Sequence, residues 1–474
     1  MNLNLSAEAL TPGAQRSWWL REALAAEDAQ ACPPLAGDAT ADVVIVGGGF
    51  TGLWTAYWLL ERNPNLGVTV LEQDICGGGP SGRNGGFASG WWDELDGLVH
   101  LYGAEGAVRS AREITRSIAG IDEFCQKHGV DAWFRRGGYV FAATGPRHEH
   151  VVEEMVRDVE RAGAPEEMRA LSREQVQARC QSPAFRTGAF MRDGASVQPA
   201  RLARGLRRVV LERGAKVHEG TTVARLDSGP VAVTEKGVVR AKHVVLAVNA
   251  WATTWPRIGR RVAAWSSYIV LTAPAPEKLD EISWTGGELI SDLRQSLRYF
   301  RTTPDGRIAF GGGGGRAAPR IGESFTHDKE AVRQAAEGFR LFFPSWADVP
   351  IVDGWGGPID VSPTHLPTFG TLPPGNVHFA LGYTGNGVAP SHLAGRVLAD
   401  LVTNTDSDLV HLPVVNPRGA KLFPPEPLRS IGARMVRSAI IRFDTAEELG
   451  VRPHPLANAV ARLPRRMGYL LGPQ

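Results

Sequence analysis

Three glycines and one carboxylate near the N-terminus have the spacing of a nucleotide site. Gly47, Gly49 and Gly52 form a G-x-G-x-x-G pattern after an apolar run, and Glu72 follows roughly twenty residues later. The first glycine permits a tight turn, the second lets the backbone approach a pyrophosphate, and the third lets a helix pack close to the strand. A carboxylate at the end of the next strand can accept hydrogen bonds from ribose hydroxyls. The spacing therefore predicts a dinucleotide site.

A strand, a helix and a second strand must position these residues. Val43–Val46 is continuously apolar, which is typical of a parallel strand buried on both faces. The pattern predicts a helix over about Thr51–Asn63, whose first N–H groups and positive dipole end would face the phosphates. It predicts the second strand over Gly67–Leu71. The predicted fold class is α/β, with a Rossmann-type nucleotide domain.

A second glycine-rich loop favours FAD over NAD. Residues Cys76–Gly90 read CGGGPSGRNGGFASG and come shortly after the acid. A nicotinamide dehydrogenase does not need such a loop, whereas the ribityl chain and isoalloxazine of FAD require a second close backbone approach. Here the chain resembles the D-amino-acid oxidase-like superfamily of FAD enzymes. Its segment S-G-R-N-G-G is most similar to the amine oxidase branch, which includes gamma-glutamylputrescine, sarcosine and glycine oxidases.

The resemblance extends to three further segments of the nucleotide site. Thr221-Thr222-Val223 resembles the family's G-T-x-V, whose valine backbone contacts the adenine. Asn249-Ala250-Trp251 resembles the turn beneath the pyrophosphate. The turn and helix start from Gly382 to Val388 match the helix end that faces the N1–C2=O edge of the flavin, where its N-terminus can stabilise negative charge. The predicted FAD-binding residues are Gly47, Gly49, Phe50, Thr51, Gly52, Glu72, Gln73, Ser81, Gly82, Arg83, Asn84, Gly85, Gly86, Val223, Asn249, Ala250, Trp251, Gly382, Gly385, Asn386, Gly387 and Val388.

Four residues are candidates for the substrate wall and the catalytic site. His365 lies in the loop expected near the flavin ring, although a single histidine can equally be structural. Trp355 and Tyr268 could form an aromatic cage for a cation, or pack in the core. Arg298 could pair with a carboxylate or phosphonate, or lie at the surface of a sheet.

The resemblance implies oxidation of an amine. Family members remove a hydride equivalent from the carbon next to an unprotonated amine and pass it to the flavin, after which the imine hydrolyses and oxygen gives peroxide. Trp355–Gly370 contains no cysteine where sarcosine oxidase has its flavin-linking cysteine, so we expect non-covalent FAD. Ala389 matches the family's carboxylate-binding lysine. A less acidic or longer amine than sarcosine, a polyamine derivative, an amino acid or an aminophosphonate is therefore expected.

Three other functions remain open. A flavin dehydrogenase that passes electrons to a quinone or other carrier would have the same motifs. A monooxygenase would carry a G-D-x-x-H-like phosphate motif before the last helix, where this chain has Gly382-Tyr383-Thr384. A non-catalytic flavin-binding protein is not excluded, but the substrate sheet argues against it.

The order of elements predicts a discontinuous two-domain arrangement. Short strands over residues 261–345 predict an antiparallel sheet that covers the flavin, and the glycine run Gly311–Gly315 predicts either an anion nest or a strand end close to flavin or substrate. The predicted parts are an N-terminal arm, an FAD-binding domain, a substrate domain and a C-terminal extension; they span residues 1–40, then 41–100 with 186–260 and 350–405, then 101–185 with 261–349, and finally 406–474.

Composition excludes several classes of partner. The 474 residues include 52 basic and 50 acidic ones, so we expect no nucleic-acid partner. No run of 18 apolar residues predicts a membrane span, and the first residues lack the features of a signal peptide. The four cysteines are far apart and no H-E-x-x-H pattern occurs, so we expect reduced thiols, no metal site and a cytoplasmic protein. The family resemblance implies molecular oxygen as a partner.

Tryptophans and arginines outside the motifs carry three further expectations. A short helix over Ser17–Ala26 is predicted to pack on its own domain or on a neighbour. Trp91 and Trp92 are expected to be buried or to line a pocket. The helix opened by Pro199 carries four arginines, which we interpret as a solvated face rather than a phosphate site; they are Arg201, Arg204, Arg207 and Arg208.

Overall fold

The computed structural model of the chain describes residues 16–28, 31–227, 230–312, 315–448 and 450–470. The α-helices in these ranges are α1 (Trp18–Ala26), α2 (Phe50–Arg62), α3 (Leu95–His128), α4 (Pro146–Arg161), α5 (Arg173–Gln177), α6 (Pro199–Glu212), α7 (Pro276–Glu281), α8 (Lys329–Phe342), α9 (Val388–Thr403), α10 (Leu428–Glu448), α11 (Pro455–Ala461) and α12 (Leu463–Arg466). The strands are β1 (Ala39–Thr40), β2 (Val43–Val46), β3 (Val68–Leu71), β4 (Phe87–Ser89), β5 (Arg135–Arg136), β6 (Tyr139–Ala142), β7 (Met168–Leu171), β8 (Gly188–Met191), β9 (Gly194–Ser196), β10 (Lys216–His218), β11 (Val223–Asp227), β12 (Val231–Thr234), β13 (Val238–Arg240), β14 (His243–Leu246), β15 (Ala263–Thr272), β16 (Leu289–Asp292), β17 (Tyr299–Thr302), β18 (Ile308–Gly312), β19 (Ile351–Val361), β20 (Thr368–Leu372) and β21 (Val377–Leu381).

A six-stranded sheet carries the nucleotide motif. Its order in the described chain is β10-β3-β2-β14-β21-β20, and all neighbours are parallel except β20 and β21. Every residue of β2 and β3 is buried, as the apolar runs predicted for strands covered on both faces. The predicted α/β class and the strand–helix–strand unit are confirmed, with α2 beginning at Phe50.

An eight-stranded sheet forms the second layer of the described chain. Its order is β19-β15-β18-β17-β16-β6-β8-β7. The expected antiparallel arrangement holds for all of its neighbours except β16 and β6, which are parallel. Strands β8 and β19 belong to this sheet, although the predicted boundaries assigned them to the FAD-binding domain. Both strands are hydrogen-bonded to neighbours in this sheet. Boundaries drawn along the sequence could not show this pairing.

The N-terminal helix α1 joins the two layers. Ser17 caps it and donates a hydrogen bond to the Gly82 carbonyl, while the Trp19 ring packs edge-on against the Trp355 ring at 5.8 Å between centroids. The predicted packing of this arm is confirmed for its described part. Its first residues, 1–15, lie outside the described ranges.

Arginines of helix α6 form ion pairs with acidic residues of α1 and of the segments beside it. Arg201 pairs with Glu22, and Arg204 pairs with both Glu27 and Glu219. Arg207 also binds Glu219 and is buried. The interpretation of this helix face as solvated was therefore wrong for these three residues, because their acidic partners come from segments distant in sequence. Only the fourth, Arg208, is exposed, and it pairs with Glu212 one turn along the same helix.

Helix α10 docks on residues 292–298, which comprise the end of β16 and the loop that leads to β17. Its buried Asp444 accepts hydrogen bonds from the backbone N–H of Ser296 at 2.7 Å and of Gln295 at 3.3 Å. Arg294 in the same loop contacts Glu448 at 2.7 Å. These contacts fix the last turns of α10, which ends at Glu448.

Burial tests the expectations for the paired tryptophans and for the cysteines. Trp91 and Trp92 are buried in the core rather than exposed. All four cysteines are buried free thiols, as predicted. Within the described ranges, no helix is both long and apolar enough to cross a membrane, and no group of His, Cys, Asp or Glu residues could hold a metal ion.

Candidate active site

A cavity of about 730 Å³ runs between the two sheets. One end is lined by the first glycine loop, Glu72 and residues 221–224, and the other by loop 292–297 and one face of α10. The turn that precedes α9 also lines this cavity. A volume of this size is in the usual range for small-molecule and cofactor sites.

The first glycine loop brings backbone to the cavity wall. Gly47 has φ +111°, and a Cβ there would lie 2.4 Å from the carbonyl oxygen of Ala247. A Cβ at Gly52 would lie 2.0 Å from the carbonyl oxygen of Gly47, so helix α2 can cross this closely only with glycine. The N-cap of α2 is Gly49, which has no side chain, and Ser81 Oγ accepts from the N–H of Phe50, the first residue of the helix. The other N–H groups of the first turn and the positive end of the helix dipole can stabilise an anion.

Glu72 follows β3 and faces the same loop. One carboxylate oxygen accepts from the backbone N–H of Gly48 at 2.7 Å, and the other accepts from Asp74 at 2.9 Å. Burial raises the pKa of Glu72 to about 7, against the lowering effect of these two hydrogen bonds. A carboxylate has about four acceptor positions, so capacity remains for hydroxyl groups of a ligand.

The second glycine loop is tied to the first. Ser81 accepts a hydrogen bond from the Phe50 backbone N–H at 2.8 Å. The Arg83 side chain donates to the carbonyls of Gly78 at 3.0 Å and Gly356 at 3.3 Å, while Asn84 accepts from the Gly86 N–H at 2.7 Å. Arg83 and Asn84 therefore shape the loop from inside and also line the cavity.

The glycine turn before α9 lies against the start of α2. The Tyr383 hydroxyl and Thr51 Oγ1 are 2.7 Å apart. Asp360 accepts from the backbone N–H groups of Gly382 at 2.6 Å and Tyr383 at 3.2 Å, and burial raises its pKa to about 7. The N-cap of α9, Gly387, has no side-chain cap among the described residues. A second helix N-terminus thus opens onto the cavity.

A cluster of two acidic residues and a histidine lies beside that turn. Strand β4 is joined to it by the Ser89 hydroxyl, which donates to the Asn386 side-chain oxygen at 3.2 Å. Asp93 and Glu94 follow this strand and line the cavity with His365. His365 Nδ1 lies 2.8 Å from a Glu94 carboxylate oxygen.

Burial and neighbouring charges shift the pKa values of Asp93 and His365. Burial raises the pKa of Asp93 to about 8, with a further rise from Glu94. Its Oδ1 is buried and has no hydrogen-bond partner among the described residues. Burial lowers the pKa of His365, but Glu94 and Asp93 outweigh it and raise the pKa overall. The wall therefore holds an Asp93 whose protonated form is favoured and a Glu94 carboxylate paired with a His365 whose charged form is favoured.

Comparison with known proteins identifies the family. The sequence model described as "DAO: FAD dependent oxidoreductase" matches residues 42–401. This chain belongs to the DAO family. Gamma-glutamylputrescine oxidoreductase of Escherichia coli (strain K12) is 29% identical over 369 residues, which cover 77% of this chain and 84% of that protein. "Probable oxidoreductase OrdL" of Rhizobium meliloti (strain 1021) is 30% identical over 392 residues, 80% of this chain and 86% of that protein.

Solved structures agree on the fold. Glycine oxidase from Geobacillus kaustophilus superposes with a TM-score of 0.65 at 21% identity, over 81% of this chain and all of that one (100%). The resemblance to the D-amino-acid oxidase-like superfamily is thus confirmed, and this DAO chain is an FAD-dependent oxidoreductase.

The residues of the cavity fit FAD. The glycine loop, which a Cβ would obstruct, and the N-terminus of α2 suit the pyrophosphate. The Glu72 carboxylate, with its spare acceptor capacity, suits the ribose, and the N-terminus of α9 suits the flavin. The predicted FAD-binding residues that line the cavity are Gly47, Gly49, Phe50, Thr51, Glu72, Gln73, Ser81, Arg83, Asn84, Gly85, Val223, Asn249, Trp251, Gly385, Asn386, Gly387 and Val388.

Five predicted residues lie behind the wall instead. A Cβ added at Gly82 would lie 2.2 Å from the carbonyl oxygen of Gly77. A Cβ added at Gly86 would lie 2.0 Å from the carbonyl oxygen of Val197. Close backbone packing therefore explains these glycines, as it explains Gly52. Gly382 has φ +84°, which the turn requires, and Ala250 is fully buried.

Three of the four predicted substrate-wall residues do not line the cavity of this DAO enzyme. Trp355 is buried against α1, and its indole N–H donates to the Arg83 carbonyl at 2.8 Å. The Tyr268 hydroxyl donates to the Ser324 carbonyl, on the other face of β15 from the cavity-lining Ser267 and Ile269. Their roles as cage or wall are corrected accordingly, because side chains alternate along a strand.

Arg298 is occupied by carboxylates of the protein itself. It binds Glu448, lies 3.9 Å from Asp292 and covers the Phe342 ring at 5.4 Å. It holds α10 rather than forming the cavity surface. His365 is the one predicted substrate-wall residue that lines the cavity.

Sequence reasoning missed most of the substrate end. Asp93 and Glu94 stand directly after the second glycine loop, and that position was the available signal. Tyr299 lines the cavity with its hydroxyl 2.9 Å from Ser267 Oγ, which strand alternation next to Arg298 could have indicated. Gly312 and Gly315 also line it, but the middle of the glycine run, residues 313–314, lies outside the described ranges.

Proposed function

We propose that this enzyme is an oxidase that converts an amine to an imine and then to an aldehyde or keto product, releasing hydrogen peroxide. The observation that carries the proposal is the acidic wall formed by Asp93 and Glu94 beside His365. An amine carries N–H donors, for which the Glu94 carboxylate and the buried Asp93 Oδ1, which has no hydrogen-bond partner among the described residues, offer acceptors. The 29% identity with gamma-glutamylputrescine oxidoreductase over 77% of the chain supports an amine as substrate.

FAD, when bound, supplies the acceptor for a hydride equivalent from the carbon next to nitrogen. The residues of the chain have three tasks in this proposal. Glu94, hydrogen-bonded to His365, takes the ammonium proton, which frees the nitrogen lone pair that assists loss of the hydride. The N-terminus of α9 stabilises the negative charge that the transfer delivers. Tyr299, Ser267 and Ile269 orient the substrate carbon and exclude water.

Atoms and electrons balance over the whole proposed reaction. The ammonium form loses one proton to the protein, and its neighbouring carbon then loses a hydrogen with two electrons. The resulting iminium takes up water and releases ammonia or a smaller amine. Molecular oxygen accepts the two electrons with two protons and leaves as hydrogen peroxide, restoring the starting enzyme.

Anaerobic mixing tests this function. Polyamines, N-methyl amino acids, glycine-like acids and aminophosphonates are each added to the FAD-loaded enzyme while flavin absorbance is followed. We expect bleaching by at least one class, faster with rising pH until one ionisation is complete. Air should then restore the absorbance with release of peroxide.

Two results would contradict the proposal in different ways. Bleaching by hydroxy acids or alcohols, with every amine inactive, would exclude amine oxidation. Bleaching by amines followed by only slow recovery in air would favour a dehydrogenase that uses a quinone or another carrier. The Glu94→Gln variant separates chemistry from binding, since it should slow bleaching and alter its pH dependence while FAD remains bound.

We also propose that FAD is held without a covalent bond. None of the four cysteines, all of them described and buried, lines the cavity. Acid precipitation should leave yellow FAD in the supernatant. Flavin that stays with the precipitated protein would instead point to a link through another side chain, with His365 as the first to examine.

A further inference from the structure

We propose that helices α10, α11 and α12 form a surface that docks on membranes containing anionic lipids. The α10–α12 surface consists of the exposed side chains of residues 422–467. These residues lie beyond the part of the chain that matches the DAO family, residues 42–401. The proposal concerns where the enzyme is held and is independent of the reaction proposed above.

Exposed apolar side chains are concentrated in this surface. Ten large apolar side chains are exposed in the described chain, and eight of them belong to residues 422–467; the other two are Val99 and Leu341. Exposed apolar groups that cluster in this way, rather than being scattered singly, are typical of a protein-docking or membrane-docking site.

One apolar stripe lies on α10. Leu428, Ile431 and Met435 are exposed and follow each other at steps of three and four residues, which puts them on one face of the helix. Arg442 lies seven residues after Met435 and is exposed on the same face. This face therefore carries a cation at the end of an apolar stripe.

A second apolar stripe lies on α11 and α12. Leu456, Leu463 and Met467 are exposed and are separated by seven and four residues. Arg462, which joins the two helices, has right-handed helical backbone angles, so the helical spacing continues from one helix to the next. Helix α11 packs against α10, which makes the two stripes neighbours.

The surface is anchored to the rest of the fold. The Phe423 backbone N–H donates to the Arg260 carbonyl at 2.8 Å, and the Phe423 ring stacks on the Tyr469 ring with 5.5 Å between centroids. Lys421 Nζ donates to the Met467 carbonyl. The segment before α10 and the segment after α12 thus hold each other, so the exposed stripes belong to a packed element.

Positive charge collects in the same region. Residues 412–474 contain ten of the 52 Lys and Arg residues of the chain and only four of its 50 Asp and Glu residues. Each of these four acids forms an ion pair; they are Glu426, Asp444, Glu447 and Glu448. Six arginines of the surface are exposed and form no ion pair with any described residue; they are Arg434, Arg442, Arg452, Arg462, Arg465 and Arg466.

An anionic lipid surface matches both the stripes and the charge. Lipid phosphates would bind the guanidinium groups, while the apolar side chains would enter the boundary between headgroups and acyl chains. An arginine stem can lie along apolar surface while its charged end reaches the headgroups. Each basic residue near an anionic membrane adds to the attraction.

Other partners fit these features less well. A second copy of the chain would bring two positively charged surfaces together, which is unfavourable. Single-stranded nucleic acids stack their bases on aromatic side chains, and none of the exposed apolar side chains in the described part of this surface is aromatic. Protein interfaces have a centre depleted of charge, whereas Arg462 and Arg466 directly precede Leu463 and Met467.

Vesicle sedimentation tests the proposal with the full-length, FAD-loaded enzyme. Vesicles of phosphatidylcholine alone are compared with vesicles of an equal mixture of phosphatidylcholine and phosphatidylglycerol. We expect binding to the mixed vesicles only, and weaker binding as sodium chloride is added, because dissolved ions screen the attraction between exposed charges.

A charge variant tests the arginines. Replacing Arg462, Arg465 and Arg466 together by Gln should weaken binding to mixed vesicles about 100-fold, since each basic residue contributes separately to attraction by the membrane. The matched control removes the same charge from exposed positions on other helices; it replaces Arg112, Arg173 and Arg333 by Gln. Its vesicle affinity should stay within about threefold of the wild type.

An apolar variant tests the stripes. Leu456→Ser should weaken binding to mixed vesicles about 10-fold, because a leucine side chain no longer enters the apolar boundary. Leu341→Ser is the matched control, since Leu341 is also exposed but lies on α8. Its affinity should equal that of the wild type.

Several results would overturn the proposal. Equal binding to both kinds of vesicle, or binding to neither, would exclude anionic lipid as the partner. Equal losses in a variant and its control would exclude this surface. A wild-type dimer in analytical ultracentrifugation that Leu456→Ser dissociates would assign the surface to a second copy of the chain instead.

The test is separate from that of the proposed function. Without vesicles, amines should bleach the flavin of these variants as they bleach that of the wild type. If no amine bleaches the flavin but the mixed vesicles bind as expected, the proposed function fails and membrane docking stands. If amines bleach the flavin and no vesicle binds, only the docking proposal fails.

Discussion

The nucleotide end and the substrate end of the cavity present different parts of the chain to a ligand. At the nucleotide end, backbone of the glycine loop and two helix N-termini form the wall, with Glu72 as an added carboxylate. At the substrate end the wall is formed by side chains from β4, β15, loop 292–297 and α10. A backbone site tolerates few changes, whereas a side-chain site can be re-specified one residue at a time.

The largest effect is expected from breaking the nucleotide end. Gly47→Ala places a Cβ 2.4 Å from the Ala247 carbonyl oxygen at φ +111°, which strains the loop by several kcal/mol. FAD affinity should fall more than about 100-fold, as measured by titrating apoprotein with FAD. Gly145→Ala is the control, because its Cβ would meet nothing within 4 Å at φ −147°. Equal FAD affinity in both variants would mean that this loop does not hold the pyrophosphate.

A smaller effect at the same end is expected from Glu72. A charge-assisted hydrogen bond to ribose contributes about 1.5–3 kcal/mol. Glu72→Ala should therefore weaken FAD binding roughly 10- to 100-fold, because each factor of ten corresponds to about 1.4 kcal/mol. Glu72→Gln keeps the shape of the side chain and one acceptor oxygen. Its FAD affinity should therefore lie between those of the wild type and Glu72→Ala. An unchanged dissociation constant for Glu72→Ala would remove this carboxylate from the ribose.

Asp444 offers a way to disturb the substrate end alone. Asp444→Asn removes the charge that binds the loop at 295–296 and leaves buried Arg294 with one fewer acidic neighbour, at 3.7 Å in the wild type. The rate of flavin bleaching by an active amine should fall about 10-fold, with FAD affinity unchanged. Asp408→Asn is the control, since the Asp408 side chain is 101% exposed. Equal losses of FAD affinity and of bleaching rate would show that the two ends are not independent.

The smallest effect concerns stability and pH. Burial raises the pKa of Asp93 from its ordinary 3.8 to about 8, so its protonated form is favoured in the folded protein. Its contribution is complete below pH 3.8 and is lost as pH rises toward 8. His365 faces Asp93 and also has a raised pKa, so its contribution is lost in the same direction.

Asp93→Asn removes the titrating group from this wall. Between about pH 5 and about pH 8.5, the free energy of unfolding of the wild type should fall more than that of the variant. Urea denaturation of the FAD-loaded forms at both pH values measures this difference. A difference of opposite sign would mean that Asp93 is ionised and stabilised in the fold.

The same contrast explains what the sequence could predict. The glycine loop and Glu72 are local patterns, and their spacing indicated a dinucleotide site on an α/β fold. The second glycine loop and the family resemblance indicated FAD, and the resemblance alone implied the role of the turn at Gly385–Val388. Tyr268 failed as a wall residue because a shift of one position along β15 moves a side chain to the opposite face. Register of this kind depends on pairing with β18 and β19, which no local pattern specifies.

Distance along the chain explains the remaining differences. Arg204 and Arg207 became buried because Glu219 and the arm residue Glu27 meet them only after folding. Trp355 was expected at the flavin, but α1 covers it from the far end of the sequence. Arg437 lies outside every motif, and only its place on α10 brings it to the cavity.

The position of α10 has a consequence for the order in which a ribosome completes this enzyme. The glycine loops, Glu72 and the start of α9 have all been synthesised before α10 leaves the exit tunnel. A nascent chain can thus assemble its whole nucleotide site while one wall of the substrate end is still missing. Cofactor capture can precede completion of the substrate wall, which α10 then closes.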